Sequence, residues 1–227
     1  QHDIDAPVFR HLNDLALLLS ERFATDHTNT PAPVEQKGGI RRPPMLRDPP
    51  IGREADLARL KDLLLRPDVG LVTLTGPGGT GKSRLSIALA HEVKERFRDG
   101  VCFVPLASVT DPQLVVTSIA DACGLNDRGQ RPVLEVLVDV LGTKELLLVL
   151  DNFEQVLSAA PLLAHVLEHC PTVKMLVTSR TPLHLRNEHL HPVEPLEVPN
   201  GTHQRMAELL ALPAVQLFAQ RAHEAAP

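Results

Sequence analysis

Leu71-Val72-Thr73-Leu74-Thr75 runs directly into Gly76-Pro77-Gly78-Gly79-Thr80-Gly81-Lys82-Ser83. The first part is short, apolar and rich in β-branched residues, which predicts a buried strand. The second is a glycine turn: without Cβ atoms the backbone can coil tightly and point its N–H groups inward. Beyond it, Leu85, Leu89, Val93 and Phe97 recur every four residues, so a helix is expected over Lys82–Phe97 with one face against a sheet.

The turn fits the pattern GxxxxGK[ST], and the flanking strand and helix supply the context which that pattern requires. A glycine-rich run without them would be read as an ordinary turn. Converging amides at the positive end of a helix favour an anion with several oxygens, a nucleotide's phosphates above all. Lys82 then supplies a mobile cation for the β- and γ-phosphates, and the Ser83 hydroxyl is a candidate Mg²⁺ ligand. The candidate nucleotide contacts are therefore Gly76, Pro77, Gly78, Gly79, Thr80, Gly81, Lys82 and Ser83, with Arg84 beside them at the head of the helix.

Outward from this point, strands and helices alternate. Helices are expected at Glu54–Leu65, near Asp111–Cys123, at Pro132–Leu141 and from Pro161 to His169; strands at Val101–Leu106, Leu146–Leu150 and Lys174–Thr178, with a fifth at His189–Val193. Such alternation implies an α/β fold of three layers, a P-loop NTPase with a mainly parallel five-stranded sheet and helices on both faces.

Magnesium held by a serine needs an acidic partner. Leu146–Leu150 is an apolar strand followed by Asp151, and the C-terminal edge of a parallel sheet is where ligands sit, so Asp151 is the expected second metal ligand. Taken alone, an aspartate after a strand would be a turn residue or a cap. For the water-activating group the candidates are Asn152, which can orient water but not accept its proton, and Glu154, which is either a general base or a helix-start acid. Slow or partner-dependent hydrolysis follows. Another apolar strand, Met175–Thr178, leads through Ser179 to Arg180, placed to distinguish ATP from ADP by charge-assisted hydrogen bonds to the γ-phosphate. The catalytic candidates are thus Lys82, Asp151, Glu154 and Arg180.

The formal charge of -5 argues against a broad nucleic-acid-binding face on this segment and leaves only a local basic patch open. Cys102, Cys123 and Cys170 are widely spaced with no CxxC pair and read as reduced core thiols. No apolar run is long enough to span a bilayer and no secretory leader opens the chain, so no membrane contact and a cytoplasmic location are expected. Four regions are expected: residues 1–24, an amphipathic helix from an upstream domain; 25–49, a Pro/Gly-rich linker with a short basic cluster; 50–200, the nucleotide-binding domain; and 201–227, the start of a further helical region. The whole is expected to be a piece of a longer polypeptide.

Taken in order, Pro50-Ile51-Gly52-Arg53-Glu54, the loop GPGGTGKS, the strand LLLVLDNFE and the strand MLVTSR resemble the signal-transduction ATPases with numerous domains (STAND), in their bacterial regulator branch related to NB-ARC domains. The resemblance covers about residues 50 to 195. It implies that the segment Ile51-Gly52-Arg53 lies over the nucleotide base, with Ile51 near adenine and Arg53 helping to hold it. It also implies a Mg²⁺-dependent ATP/ADP switch that rearranges other domains of the same polypeptide, with nucleotide-dependent homo-oligomers as active forms. Asn152 departs from the family, many members of which carry a second acidic residue there, and no Gly-Leu-Pro-Leu motif follows.

Two other readings compete. A nucleotide-holding scaffold that never hydrolyses is compatible with Asn152. A small-molecule kinase would need an arginine-rich lid, which Arg186 and its neighbours make poorly. A GTPase is disfavoured because no NKxD-like segment follows the acidic strand.

Overall fold

The computed structural model describes residues 39–125, 130–199 and 206–225. The expected amphipathic helix in 1–24 lies outside the described residues, as does most of the linker. All described residues belong to the unit Lys37–Pro227.

Helix α1 spans Glu54–Leu64, strand β1 Leu71–Thr75, helix α2 Lys82–Val93 and strand β2 Val101–Pro105. They are followed by α3 (Leu114–Ala122), α4 (Val133–Leu141), β3 (Leu147–Asp151), α5 (Ala160–His169), β4 (Lys174–Thr178) and β5 (Glu188–Pro192). Two helices close the described chain, α6 (Met206–Ala211) and α7 (Pro213–Ala225). The strands form one sheet in the order β2-β3-β4-β1-β5, and every pairing is parallel. The expectation of a mainly parallel sheet is therefore met by a fully parallel one.

Alternation along the strands sends side chains to two separate cores. Val72, Leu74, Val101, Phe103, Leu147, Val149 and Leu176 pack beneath α1 and α2, with Leu60, Leu64, Leu85 and Leu89 as the matching helix residues. Leu71, Cys102, Val104, Leu148, Leu150, Met175 and Val177 pack beneath α3, α4 and α5, against Val115, Ile119, Leu137, Leu141 and Leu163. Both faces of β1 to β4 are buried, which is why these strands read as continuous apolar runs, while the edge strand β5 stays partly exposed.

Two local expectations are corrected. The helix expected to reach Phe97 ends at Val93 and tightens into a 3₁₀ turn over Lys94–Arg96, because Phe97 turns back as an extended residue and buries itself beside Val101. The helix expected from Asp111 begins at Leu114, the Asp111 carboxylate instead accepting the Gln113 N–H at 2.9 Å. Between β3 and α5, Phe153–Ala159 forms a 3₁₀ helix that shares the buried face with α5.

Residues 39–50 carry no helix or strand, yet they are anchored. Arg41 N–H donates to Ala122 C=O at 2.7 Å, Phe103 N–H donates to Arg41 C=O at 2.8 Å, and Ile40 and Leu46 pack onto the two cores. This segment is a strap beside the outer edge strand β2, supplying the Phe103 N–H with a backbone partner which an open edge would otherwise leave to solvent. No described helix is long and apolar enough to cross a membrane.

Candidate functional site

Parallel strands deliver their C-terminal ends to one edge, and β1, β3 and β4 stand adjacent there. From β1 the chain turns through Gly76–Gly81 into α2. Gly76, Gly79 and Gly81 have φ of 141, 83 and 90°, conformations that a side chain resists. A Cβ on Gly79 or Gly81 would meet nothing within 4 Å, so these glycines answer a backbone demand and leave the concave turn open.

The first intrahelical bond of α2 runs from Leu85 N–H to Gly81 C=O at 2.8 Å, so the amides preceding Leu85 have no acceptor within the helix. The first turn of α2 contains no acid; it carries Lys82 and Arg84. Cations at the positive end of a helix dipole are unfavourable by themselves, and an anion seated on the amides reverses the sign. Arg84 directs Nη2 to Asp48 C=O at 2.8 Å and so fastens the strap to α2.

Lys82 is buried at 8% exposure, and its ammonium donates to Gly76 C=O and Pro77 C=O, each at 2.8 Å. Burial lowers its pKa, nearby Glu154 opposes that, Arg180 adds to it and Asp151 opposes it. The Lys82 ammonium is thus parked on the carbonyls of its own loop, with Glu154 and Asp151 close enough to act on it.

Asp151, the last residue of β3, shares the sheet face of Leu147 and Val149, the face covered by α2. Its side chain is 9% exposed, and Oδ1 accepts the Thr178 hydroxyl at 2.6 Å. Burial raises its pKa, while hydrogen bonds from Thr178 and Ser83 lower it; Glu154 raises it and Lys82 lowers it. Ser83, at the head of α2, and Asp151, at the end of β3, therefore lie close enough for the Ser83 hydroxyl to act on the Asp151 carboxyl. Among the described residues no group of three or more His, Cys, Asp or Glu converges as a protein-built metal cage. A hydroxyl and one carboxylate fit a small hard cation that takes its remaining ligands from phosphate and water.

Asn152 leaves β3 in a left-handed turn, φ 64°, and its N–H donates to Thr178 Oγ1 at 2.9 Å. Glu154, in the first turn of the 3₁₀ helix, lies 3.3 Å through Oε1 from Arg180 Nε. Its Oε2 is buried with no hydrogen-bond partner. Arg180 is 66% exposed and reaches over the loop, its Nη2 3.8 Å from where a Cβ on Gly78 would be.

Arg53 is buried at 8% exposure, with its guanidinium spread across three segments: Nη1 to Asp56 Oδ2 at 3.1 Å, and Nη2 to Thr80 C=O at 2.9 Å and Glu194 C=O at 2.6 Å. Asp56 meets His191 Nε2 at 3.0 Å through its other oxygen. Ile51 is half-buried, and Gly52, at φ 68°, turns against the Pro213 ring and Leu196. The structure thus gathers Lys82, Ser83, Asp151, Glu154 and Arg180 at one sheet edge. It brings Arg53 to the outer side of the loop, and leaves Arg84 on the strap side.

Sequence reasoning missed Thr178, a threonine at the end of an apolar strand, and the clamp role of Arg53, two of whose three acceptors are backbone carbonyls. The cysteines are all free, as expected, but Cys102 and Cys123 approach to 3.6 Å between sulfurs. Only the fold, which lays the end of α3 over β2, brings them together.

A family model described as an AAA domain matches residues 67–185. A curated relative, "Putative HTH-type transcriptional regulator" of Mycobacterium tuberculosis, is 37% identical over 158 residues, 69% of this chain and 16% of the relative. Regulatory protein AfsR of Streptomyces griseus is 30% identical over 115 residues, 47% of this chain and 11% of AfsR. The chain thus spans less than a fifth of either relative's length. Among solved structures, a STAND protein with a tetratricopeptide repeat sensor from Pyrococcus horikoshii is 14% identical, with a TM-score of 0.46, covering 83% of this chain and 30% of that one.

Proposed function

The chain belongs to the AAA domain family of P-loop ATPases, and from that premise we propose that residues 50–200 bind Mg²⁺-ATP or Mg²⁺-ADP as the switch module of a multidomain STAND-type transcriptional or signalling regulator. The observation that carries the reading is the convergence of Lys82, Ser83 and Asp151 at one sheet edge, with the Lys82 ammonium held on the loop carbonyls and the Asp151 carboxylate held by Thr178. A loop of amides, a cation and a hydroxyl–carboxylate pair together match a triphosphate with its magnesium.

In this reading the amides of Gly78–Arg84 and the helix dipole hold the β-phosphate, and Lys82 exchanges its loop carbonyls for β/γ oxygens. Ser83 and Asp151 hold Mg²⁺, which offsets the phosphate charge. Arg53 ties the Ile51-Gly52-Arg53 turn to Thr80 and Glu194, so the segment assigned to the base is fixed to the phosphate loop itself. Arg180 exchanges Glu154 for the γ-phosphate, which gives the site unequal affinities for ATP and ADP.

Hydrolysis is slow in this reading. The acid after Asp151 is replaced by Asn152, and the Glu154 carboxylate is engaged by Arg180. The same two features favour the second reading, a nucleotide-holding scaffold without turnover. The names of the mycobacterial relative and of AfsR support a regulator as the parent protein. Contact with DNA is then assigned to other domains, and the nucleotide state to their arrangement or to homo-oligomer formation.

The test is mass spectrometry of the nucleotide released on denaturing the purified chain, with and without magnesium during purification. Retained ADP or ATP, reduced by EDTA and by Ser83→Ala, is expected. A chain that retains none and takes up none on incubation with Mg²⁺-ATP overturns the reading. Single-turnover phosphate release then separates the slow ATPase from the scaffold.

A further inference from the structure

We propose that Thr178 is a positioning residue for the magnesium site, holding the Asp151 carboxylate in the orientation in which it would meet the metal. The inference rests on the nucleotide site proposed above and adds to it a residue that touches neither metal nor phosphate.

The topology makes this position unusual. β4 is the strand between β1, which feeds the phosphate loop, and β3, which ends in Asp151. Thr178 pairs with Leu74 on one side, and on the other Val177 pairs with Leu150, so Thr178 is the next step beside Asp151. Thr178 continues the strand face of Leu176, the face that packs beneath α2. It therefore lies on the side from which Ser83 approaches.

At this position the hydroxyl does two things at once. It donates to Asp151 Oδ1 at 2.6 Å and accepts the Asn152 N–H at 2.9 Å. A hydroxyl can do both, whereas a carboxylate only accepts and an ammonium only donates. Thr178 is 1% exposed, so no solvent molecule reaches these bonds from outside to replace it. The acceptor half pins the first amide after β3, where Asn152 turns left-handed. The donor half occupies Oδ1 on the β4 side and fixes the plane of the carboxylate. Partners of this kind orient metal ligands, and their removal costs metal affinity while the ligands themselves remain.

The test compares Thr178→Val, which keeps the shape and removes the hydroxyl, with Thr178→Ser, which keeps the hydroxyl and removes a methyl. Binding of a fluorescent ATP analogue to the full chain is titrated with MgCl₂ and, separately, in EDTA. For Thr178→Val the magnesium concentration at half-maximal binding should rise about tenfold or more, as for outer-shell partners elsewhere. Its metal-free affinity should stay at the wild-type value, and Thr178→Ser should titrate near wild type. A Thr178→Val magnesium midpoint equal to that of the wild type overturns the proposal, and equal shifts in both variants assign the effect to packing and overturn it too. So does loss of metal-free binding together with magnesium-dependent binding. Absence of magnesium-dependent binding in the wild type would instead remove the nucleotide site itself, a failure distinguishable from that of the Thr178 assignment.

Discussion

Arg180 Nε lies 3.3 Å from Glu154 Oε1, and the same guanidinium overhangs Gly78 of the phosphate loop. One mobile cation is thereby shared between a carboxylate and the place where a γ-phosphate would arrive. Replacing Arg180 by alanine should remove the preference between ATP and ADP. Charge-assisted hydrogen bonds of this kind contribute about 1.5–3 kcal/mol, so the ratio of the two dissociation constants should change about tenfold or more. Competition titrations with ADP and a non-hydrolysable ATP analogue measure it, and an unaltered ratio removes Arg180 from the sensor role.

Thr73 supplies a stability prediction independent of nucleotide. Its hydroxyl lies in the middle of β1 at 0% exposure with no hydrogen-bond partner. Valine has the same shape without the orphaned polar group, whose burial costs about 1–3 kcal/mol. Thr73→Val should therefore leave the unfolding midpoint in urea unchanged or raise it. A marked fall would show that the hydroxyl is satisfied by a group such as a buried water.

Gly52 couples the turn before α1 to the last helix. At φ 68° any other residue is strained, and a Cβ there would run into the Pro213 ring. Left-handed backbone alone costs an alanine about 1–2 kcal/mol. Gly52→Ala should lower stability by at least about that much. It should also increase proteolytic cleavage between β5 and α7, read by peptide mapping. Unchanged stability and cleavage would mean that α7 does not rest on this turn.

The division between what was and was not legible in the sequence follows from where each signal resides. Gly76–Ser83 carries its chemistry in consecutive residues, and the strands β1, β3 and β4, buried on both faces, announce themselves as apolar runs. Asp151 stands out in the sequence because it ends such a run. Arg53 was assigned to the base, and its engagement with Thr80 C=O and Glu194 C=O was invisible, since those acceptors are backbone atoms 27 and 141 positions away. The strap at residues 39–50 reads as an extended connector because its hydrogen bonds run through its own backbone and only Ile40 and Leu46 pack onto the cores. Cys102 and Cys123 meet only through the packing of α3 on β2.

Asp99 gives a pH-dependent test. Hydrogen bonds from the Glu145 N–H, the Lys144 ammonium and Arg98 hold its carboxyl at about 2, below the ordinary 3.8, and they tie the start of β2 to the turn before β3. A carboxyl depressed in the native state stabilises the fold above its unfolded pKa and loses that contribution as pH falls through the native one. Asp99→Asn should thus lower the melting temperature most near neutral pH. The gap to wild type should shrink as pH drops from about 4 towards about 2. A gap that stays constant over that range would contradict the assignment.

The central claim is that the loop, Lys82 and the metal-binding pair enclose a triphosphate. Calorimetric titration of Mg²⁺-ATP into the 227-residue chain and into its Lys82→Ala variant tests it most directly. The account predicts saturable binding by the wild type and binding weakened by about tenfold or more in the variant, as expected for the loss of a charge-assisted phosphate contact, with the fold intact by circular dichroism. Equal dissociation constants for the two proteins, or no binding by the wild type, would contradict it.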